Sequence, residues 1–122
     1  MIDNDLLLRD GTVALTTSEA TPTGVDFGGE DLVPMTYVVD VLEATDGDNE
    51  TLLVEIQGST ELAGTYYTVL TFPSITAMGQ YFLEGMCKYR FRRAKTTVAG
   101  TNTPSFHGCM IYAQPAGRYD KK

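Results

Sequence analysis

Period-two alternation of apolar and polar residues recurs in separate runs along this chain, and it limits the fold more than any other feature. MTYVVDVLEAT (35–45) sets Met35, Tyr37, Val39 and Val41 on one face. TLLVEIQG (51–58) sets Leu52, Val54 and Ile56 against Glu55 and Gln57, and GTYYTVLTF (64–72) gathers Tyr66, Leu70 and Phe72. KYRFRR (88–93) places Tyr89 and Phe91 one way and Lys88, Arg90 and Arg92 the other. FHGCMIYA (106–113) groups Phe106, Met110 and Tyr112. Successive side chains of a strand point to opposite faces, so such alternation marks half-buried strands. VALTT (13–17) and GVDF (24–27) are weaker candidates.

Turn-forming clusters separate these runs: TPTG (21–24), FGGED (27–31), TDGDNE (45–50), LAG (62–64), FPS (72–74) and AGTNTP (99–104). Only STELAG (59–64) and SITAMGQYFLEGM (74–86) have room for a helical turn, and glycine interrupts both. Many short strands at this spacing predict an all-β chain, an antiparallel β-sandwich or jelly roll. A length of 122 residues fits one domain over 1–122, with 1–20 as a short N-terminal arm or the first strand. A core of this size needs no disulfide or metal staple.

Charge is divided along the chain. Residues 1–84 hold fifteen acids and one base, net −14; residues 85–122 hold one acid and eight bases, net +7, which restores the total of −7. KYRFRRAK (88–95) alone carries five of the nine bases. Read as a strand, it buries Tyr89 and Phe91 and offers a basic row outward, with Arg93 on the inward parity at a bend, a bulge or a carboxylate. Such asymmetry suits an oppositely charged protein face, a nucleic acid or a membrane surface, and it also suits a plain solvated face. Net acidity opposes phosphate binding, and rings that alternate with cations cannot face one ligand together, so nucleic acid is not expected. No apolar run approaches a membrane span. MIDNDLLLRD lacks the basic region and long apolar core of a secretory signal, so synthesis and reduced cysteines in a cytoplasm are expected.

The sites of chemistry that the sequence brings to mind mostly fail on spacing. Asp46, Asp48 and Glu50 start like a calcium loop, but Thr51 stands where glycine is needed and Gln57 where glutamate is needed, so a tight turn is the better reading. Asn49-Glu50-Thr51 is a glycosylation sequon that matters only in a secreted chain. His107 and Cys109, two apart on a strand, would share a face and with Cys87 offer three metal ligands or a thiol and its base; no fourth ligand and no C-x-x-C accompanies them. No nucleophile elbow, phosphate loop or paired-acid signature is present, so neither an enzyme, nor a cofactor, nor a metal is expected. A sugar-binding sandwich would display tyrosines such as Tyr66, Tyr67, Tyr112 or Tyr119, although tyrosines more often fill a sheet face.

Three stretches taken in order carry a resemblance. IDNDLLLRDGTVALTTSEATPTGVDFGG has a leucine-containing start, a Thr/Ala/Ser-rich segment and an Asp-plus-Gly turn at Asp26 to Gly29. LLVEIQGSTELAGTYYTVLT has an extended strand, Gly-Ser, an acidic loop, an aromatic and Thr-Val-Leu. KYRFRRAKTTVAGTNTP leads a strand into the turn Thr97 to Thr101. Together they cover most of the chain and resemble the jelly-roll cement (decoration) proteins of tailed-bacteriophage heads, from which the basic strand before Thr97 departs. The resemblance implies a non-enzymatic virion component, assembled in the host bacterial cytoplasm. It would bind the outer capsid surface, often as a dimer or trimer, and bridge neighbouring major capsid protein subunits. On that reading Lys88, Arg90, Arg92 and Lys95 would meet carboxylates of the capsid or of a sister copy, possible donors being the acidic loops 26–31 and 43–50. Leu6, Leu7 and Leu8 would add an apolar strand or plug. A receptor- or glycan-binding module displayed on a virion is the alternative.

Overall fold

The computed structural model describes residues 7–12, 14–19, 21–27, 35–44, 50–100 and 105–115. Strand follows strand, with no helix among them: β1 (Leu7–Arg9), β2 (Val25–Asp26), β3 (Met35–Val41), β4 (Glu43–Ala44), β5 (Thr51–Ser59), β6 (Tyr67–Thr71), β7 (Gly79–Gly85), β8 (Phe91–Ala99), β9 (Phe106–His107) and β10 (Met110–Pro115). They form two four-stranded antiparallel sheets, β1-β10-β3-β7 and β2-β8-β5-β6, with β4-β9 as a small extra pair. Setting β4 and β9 aside, the first strand pairs with the last, the second with the seventh, the third with the sixth, and the fourth with the fifth. A long hairpin whose tip is the β5–β6 turn has thus been rolled up into two facing sheets, which is the jelly-roll order.

The core lies between the sheets. Tyr37, Val39 and Val41 of β3 meet Leu52, Val54 and Ile56 of β5, with Phe72, Ile75, Phe106, Ile111 and Ala113 filling the layer. The Val, Leu, Ile and Phe side chains among these contribute about 1.5–3 kcal/mol each on full burial. The alternation in β3 and β5 is therefore the sandwich's inner face. The chain between β1 and β2 crosses from one sheet to the other. Leu15 bridges Phe106, and Glu19 bridges Thr96 in β8, whose buried hydroxyl also accepts from the Glu19 amide at 3.0 Å. VALTT is thus a single bridge at Leu15 rather than a strand, whereas the weak GVDF signal does become β2.

Several local expectations change. SITAMGQYFLEGM holds the strand β7, not a helical turn, and STELAG is an irregular turn closed by Gly64 N–H donating to the Glu61 carbonyl. In FHGCMIYA the faces are exchanged: Phe106 is buried, but so are Ile111 and Ala113, while Met110 and Tyr112 look outward. The cause is Gly108, whose φ of +63° turns the chain between β9 and β10 and breaks the parity. In GTYYTVLTF a bulge between Ile56 and Gln57 shifts the register, so Leu70 and Phe72 pack inward while Tyr66 lies outside.

Candidate interaction surfaces

Strand β8 begins at Phe91, so Lys88 and Arg90 stand on the connection from β7 and not on a strand. Within β8 the parity is the reverse of the expected one. Arg92, Ala94 and Thr96 face the sandwich interior, opposite Gly58, Ile56 and Val54. The outward row of Lys88, Arg90 and Arg92 does not form, because Arg92 has an inward job: its side chain is only 3% exposed. Its Nε donates to the Tyr89 carbonyl at 2.9 Å, Nη2 to the Cys87 carbonyl at 2.8 Å and Nη1 to the Tyr37 hydroxyl at 2.8 Å. Its guanidinium also lies 4.5 Å from the Phe27 ring centroid. A buried cation without a carboxylate is tolerable when its planar donors are all engaged and a ring covers its face. Burial pushes the Tyr37 hydroxyl above its ordinary range, against the pull of Arg92, so it remains a neutral partner.

Among the described residues, Arg90, Arg93, Lys95 and Arg9 are also met inside the chain. Arg90 forms a two-pronged pair with Asp26 of β2, Nε to Oδ1 at 2.7 Å and Nη2 to Oδ2 at 2.8 Å, and hydrogen bonding to Asp26 followed by its charge raises the arginine further. Asp26, a candidate donor to a partner, is thus engaged in its own subunit. Arg93, expected inside, lies outside: it stacks 4.1 Å from the Tyr66 centroid and donates to Gln57 Oε1 at 2.8 Å, an amide rather than a carboxylate. Lys95 Nζ is 3.8 Å from Glu55 of the facing strand. Lys88 lies 5.6 Å from the Tyr89 ring and is exposed. Arg9 completes the pattern by pairing with Glu19 at 2.9 Å and donating to the Cys109 carbonyl at 2.6 Å. Among the described residues, acids of the first part of the sequence pair with bases of the second, and the division of charge along the chain does not make one positive face.

Of the leucines, Leu8 is a core residue at 8% exposure, Leu7 lies in β1 opposite Tyr112, and Leu6 is outside the described residues. For residues 7–9 the first-strand reading holds, and Leu8 is held by its own subunit. Of the calcium-like loop, Asp46 and Asp48 lie outside the described residues; Glu50, its third acid, is 4% exposed, and among the described residues neither of its carboxylate oxygens meets a donor. His107 and Cys109 do not share a face. The Gly108 turn leaves His107 exposed with its Nε2 2.9 Å from Ser105 Oγ, and sends Cys109 into the core. Burial there pushes the Cys109 thiol up to about 11, which keeps it from acting as a thiolate at neutral pH. Cys87 is buried and unbridged beside Tyr89 and Arg92.

Two surfaces remain open. At one end of the sandwich, the β5–β6 tip and the β7–β8 connection meet. Tyr67, 56% exposed, stacks against Tyr89 with centroids 6.1 Å apart, and exposed Leu62, Met86 and Lys88 belong to the same two segments. Gly58 makes this end possible: a Cβ there would fall 2.6–2.9 Å from the Tyr89 side chain, which lies flat on that bare backbone. The second surface runs along β7, where Met78, Phe82 and Met86 are 68%, 57% and 47% exposed. The sequence reading missed this strand; the aromatic and apolar run Tyr81-Phe82-Leu83 between two glycines was the signal available. No protein-family model matches the chain, and no curated protein matches it.

Proposed function

We propose that this chain is a cement protein of a tailed-phage head, binding the outer capsid surface and bridging neighbouring major capsid protein subunits. The observation that carries the reading is the rolled-hairpin strand order, which agrees with the jelly roll that the resemblance implies. The contact is reassigned. With Arg92 buried and Arg90 and Lys95 matched to Asp26 and Glu55, the end formed by Leu62, Tyr67, Met86, Lys88 and Tyr89 offers the better capsid footprint. Exposed tyrosine, methionine and leucine around the exposed Lys88 suit a protein interface, where aromatic and methionine anchors carry most of the energy. Modest affinity per copy suffices, because a clamp that spans two subunits raises the effective concentration of its second contact.

The test is co-sedimentation with heads of the parent phage prepared without this protein. Wild-type protein pellets with the heads and is released without their collapse. Tyr67→Ala combined with Lys88→Glu lowers occupancy about tenfold or more while the thermal midpoint stays in place. Unchanged occupancy removes this end from the contact; no co-sedimentation at all, with retention on a glycan array, replaces the capsid reading by the glycan-binding one.

A further inference from the structure

The first sheet ends at β7, and among the described residues no strand pairs with its far side. Its free edge differs from the others. β1 has three residues and β2 two, while β6 has five and is bulged against β5. Short or irregular edges are poor templates for a further strand. β7 keeps seven residues in unbroken register with β3, contains no proline and carries one charge, Glu84.

Two features of this edge are complementary to themselves. The order MGQYFLEGM (78–86) is nearly symmetric about Phe82: Met78 mirrors Met86, Gly79 mirrors Gly85, Gln80 mirrors Glu84, and Tyr81 mirrors Leu83. An antiparallel pair with its two-fold axis at Phe82 sets every residue opposite its mirror. Methionine then meets methionine, the Gln80 amide meets a Glu84 carboxylate, and no like charges face each other. The outer face of the sheet repeats the logic. Leu7, Tyr112, Val38 and Phe82 stand in direct register across all four strands. Val38 within this row is fully buried, while Phe82 ends it open to solvent. A two-fold axis at Phe82 carries the row on into a second molecule.

We propose that β7 pairs antiparallel with β7 of a second copy of this chain about a two-fold axis at Phe82, joining the two β1-β10-β3-β7 sheets into one. Backbone hydrogen bonds along the edge supply affinity, and the mirrored side chains fix the register. Met86 belongs to both this edge and the end proposed to meet the capsid, so the two contacts are told apart by Phe82 and Gln80 on the one and Tyr67 and Lys88 on the other.

Sedimentation of the full chain from micromolar to about millimolar loading tests it. The wild type forms a concentration-dependent dimer. Phe82→Lys sets two cations together on the axis and weakens the dimer at least about tenfold, with an unmoved thermal midpoint in dilute solution. Gln80→Lys faces Glu84 of the second copy and tightens the dimer several-fold, whereas Gln80→Glu loosens it. Phe82→Cys reads the axis directly. Cα atoms of an antiparallel pair lie about 4.5–5.5 Å apart, within disulfide range, so this variant oxidises to a covalent dimer. Gln80→Cys does so only when mixed with Glu84→Cys, and the native thiols Cys87 and Cys109 are buried. A wild type that stays monomeric, a dimer indifferent to Phe82→Lys, or Gln80→Cys cross-linking with itself overturns the proposal.

Discussion

The segment from Cys87 to Lys95 and the strand just before it in the chain, Gly79–Gly85, make a contrast. The first is conspicuous in the sequence for its charge, yet it is turned in on its own subunit: Arg92 to Tyr37 and two carbonyls, Arg90 to Asp26, Arg93 to Gln57 and Tyr66, Lys95 towards Glu55. The second carries one charge and no motif, yet among the described residues no strand pairs with its far edge, and several of its side chains are exposed. Charge density along a chain measures demand for partners, and a folded chain can meet that demand internally. Unpaired backbone with exposed apolar side chains is demand left over after folding.

The contrast breaks most forcefully at Arg92. Arg92→Met keeps packing over Phe27 but leaves the Tyr37 hydroxyl and the carbonyls of Cys87 and Tyr89 short of donors, and each buried group so stranded costs about 1–3 kcal/mol. A loss of about 3 kcal/mol or more in urea denaturation is expected; a loss under about 1 kcal/mol would mean that the segment is not held from inside. Alkaline pH gives the next largest effect. The Cys109 thiol stands at about 11 when folded against an ordinary 9.0. Between these values the unfolded chain has released the proton and the folded chain has kept it, so stability is full below about pH 9 and falls as pH rises towards 11. The loss from this group is on the order of 2 kcal/mol, and Tyr37, raised in the same direction by burial, adds to it. Cys109→Ala should flatten that limb in denaturation series across this range; an unchanged slope would show the thiol to be accessible. The smallest effect belongs to Arg90→Gln. Its pair with Asp26 is exposed and screened, so the denaturation midpoint at physiological salt should hardly move. A clear drop would make that pair a structural clasp rather than a surface decoration.

The sandwich was legible because β3 and β5 are amphipathic over their whole length: Tyr37, Val39, Leu52, Val54 and Ile56 lie where alternation puts them. Alternation failed where one residue changed the phase. Gly108 does so before β10, the Ile56–Gln57 bulge does so beside β6, and at β8 the late start leaves the Tyr89 ring on Gly58 while Arg92 occupies an inward site. Periodicity carries no record of such offsets, and hydrophobicity scales have no place for an arginine each of whose three nitrogens donates to an oxygen. β7 was passed over because glycines bound it at both ends and because Phe82, on the outward parity with Gln80 and Glu84, breaks the polar-apolar alternation with three apolar residues in a row. The open end was half visible, since Lys88 and Tyr67 were both noted, but their meeting depends on the fold.

The place of β10 has a consequence for how the molecule is made. It sits between β1 and β3, and so the first sheet cannot close until Met110–Pro115 have left the ribosome, about a hundred residues after β1. Until then β1 has no strand beside it, β3 has only β7, and a nascent jelly roll shows bare ladders on both sides of its gap. Such long-range closure is slow, and the waiting chain is the form most exposed to wrong pairing with its neighbours on a polysome.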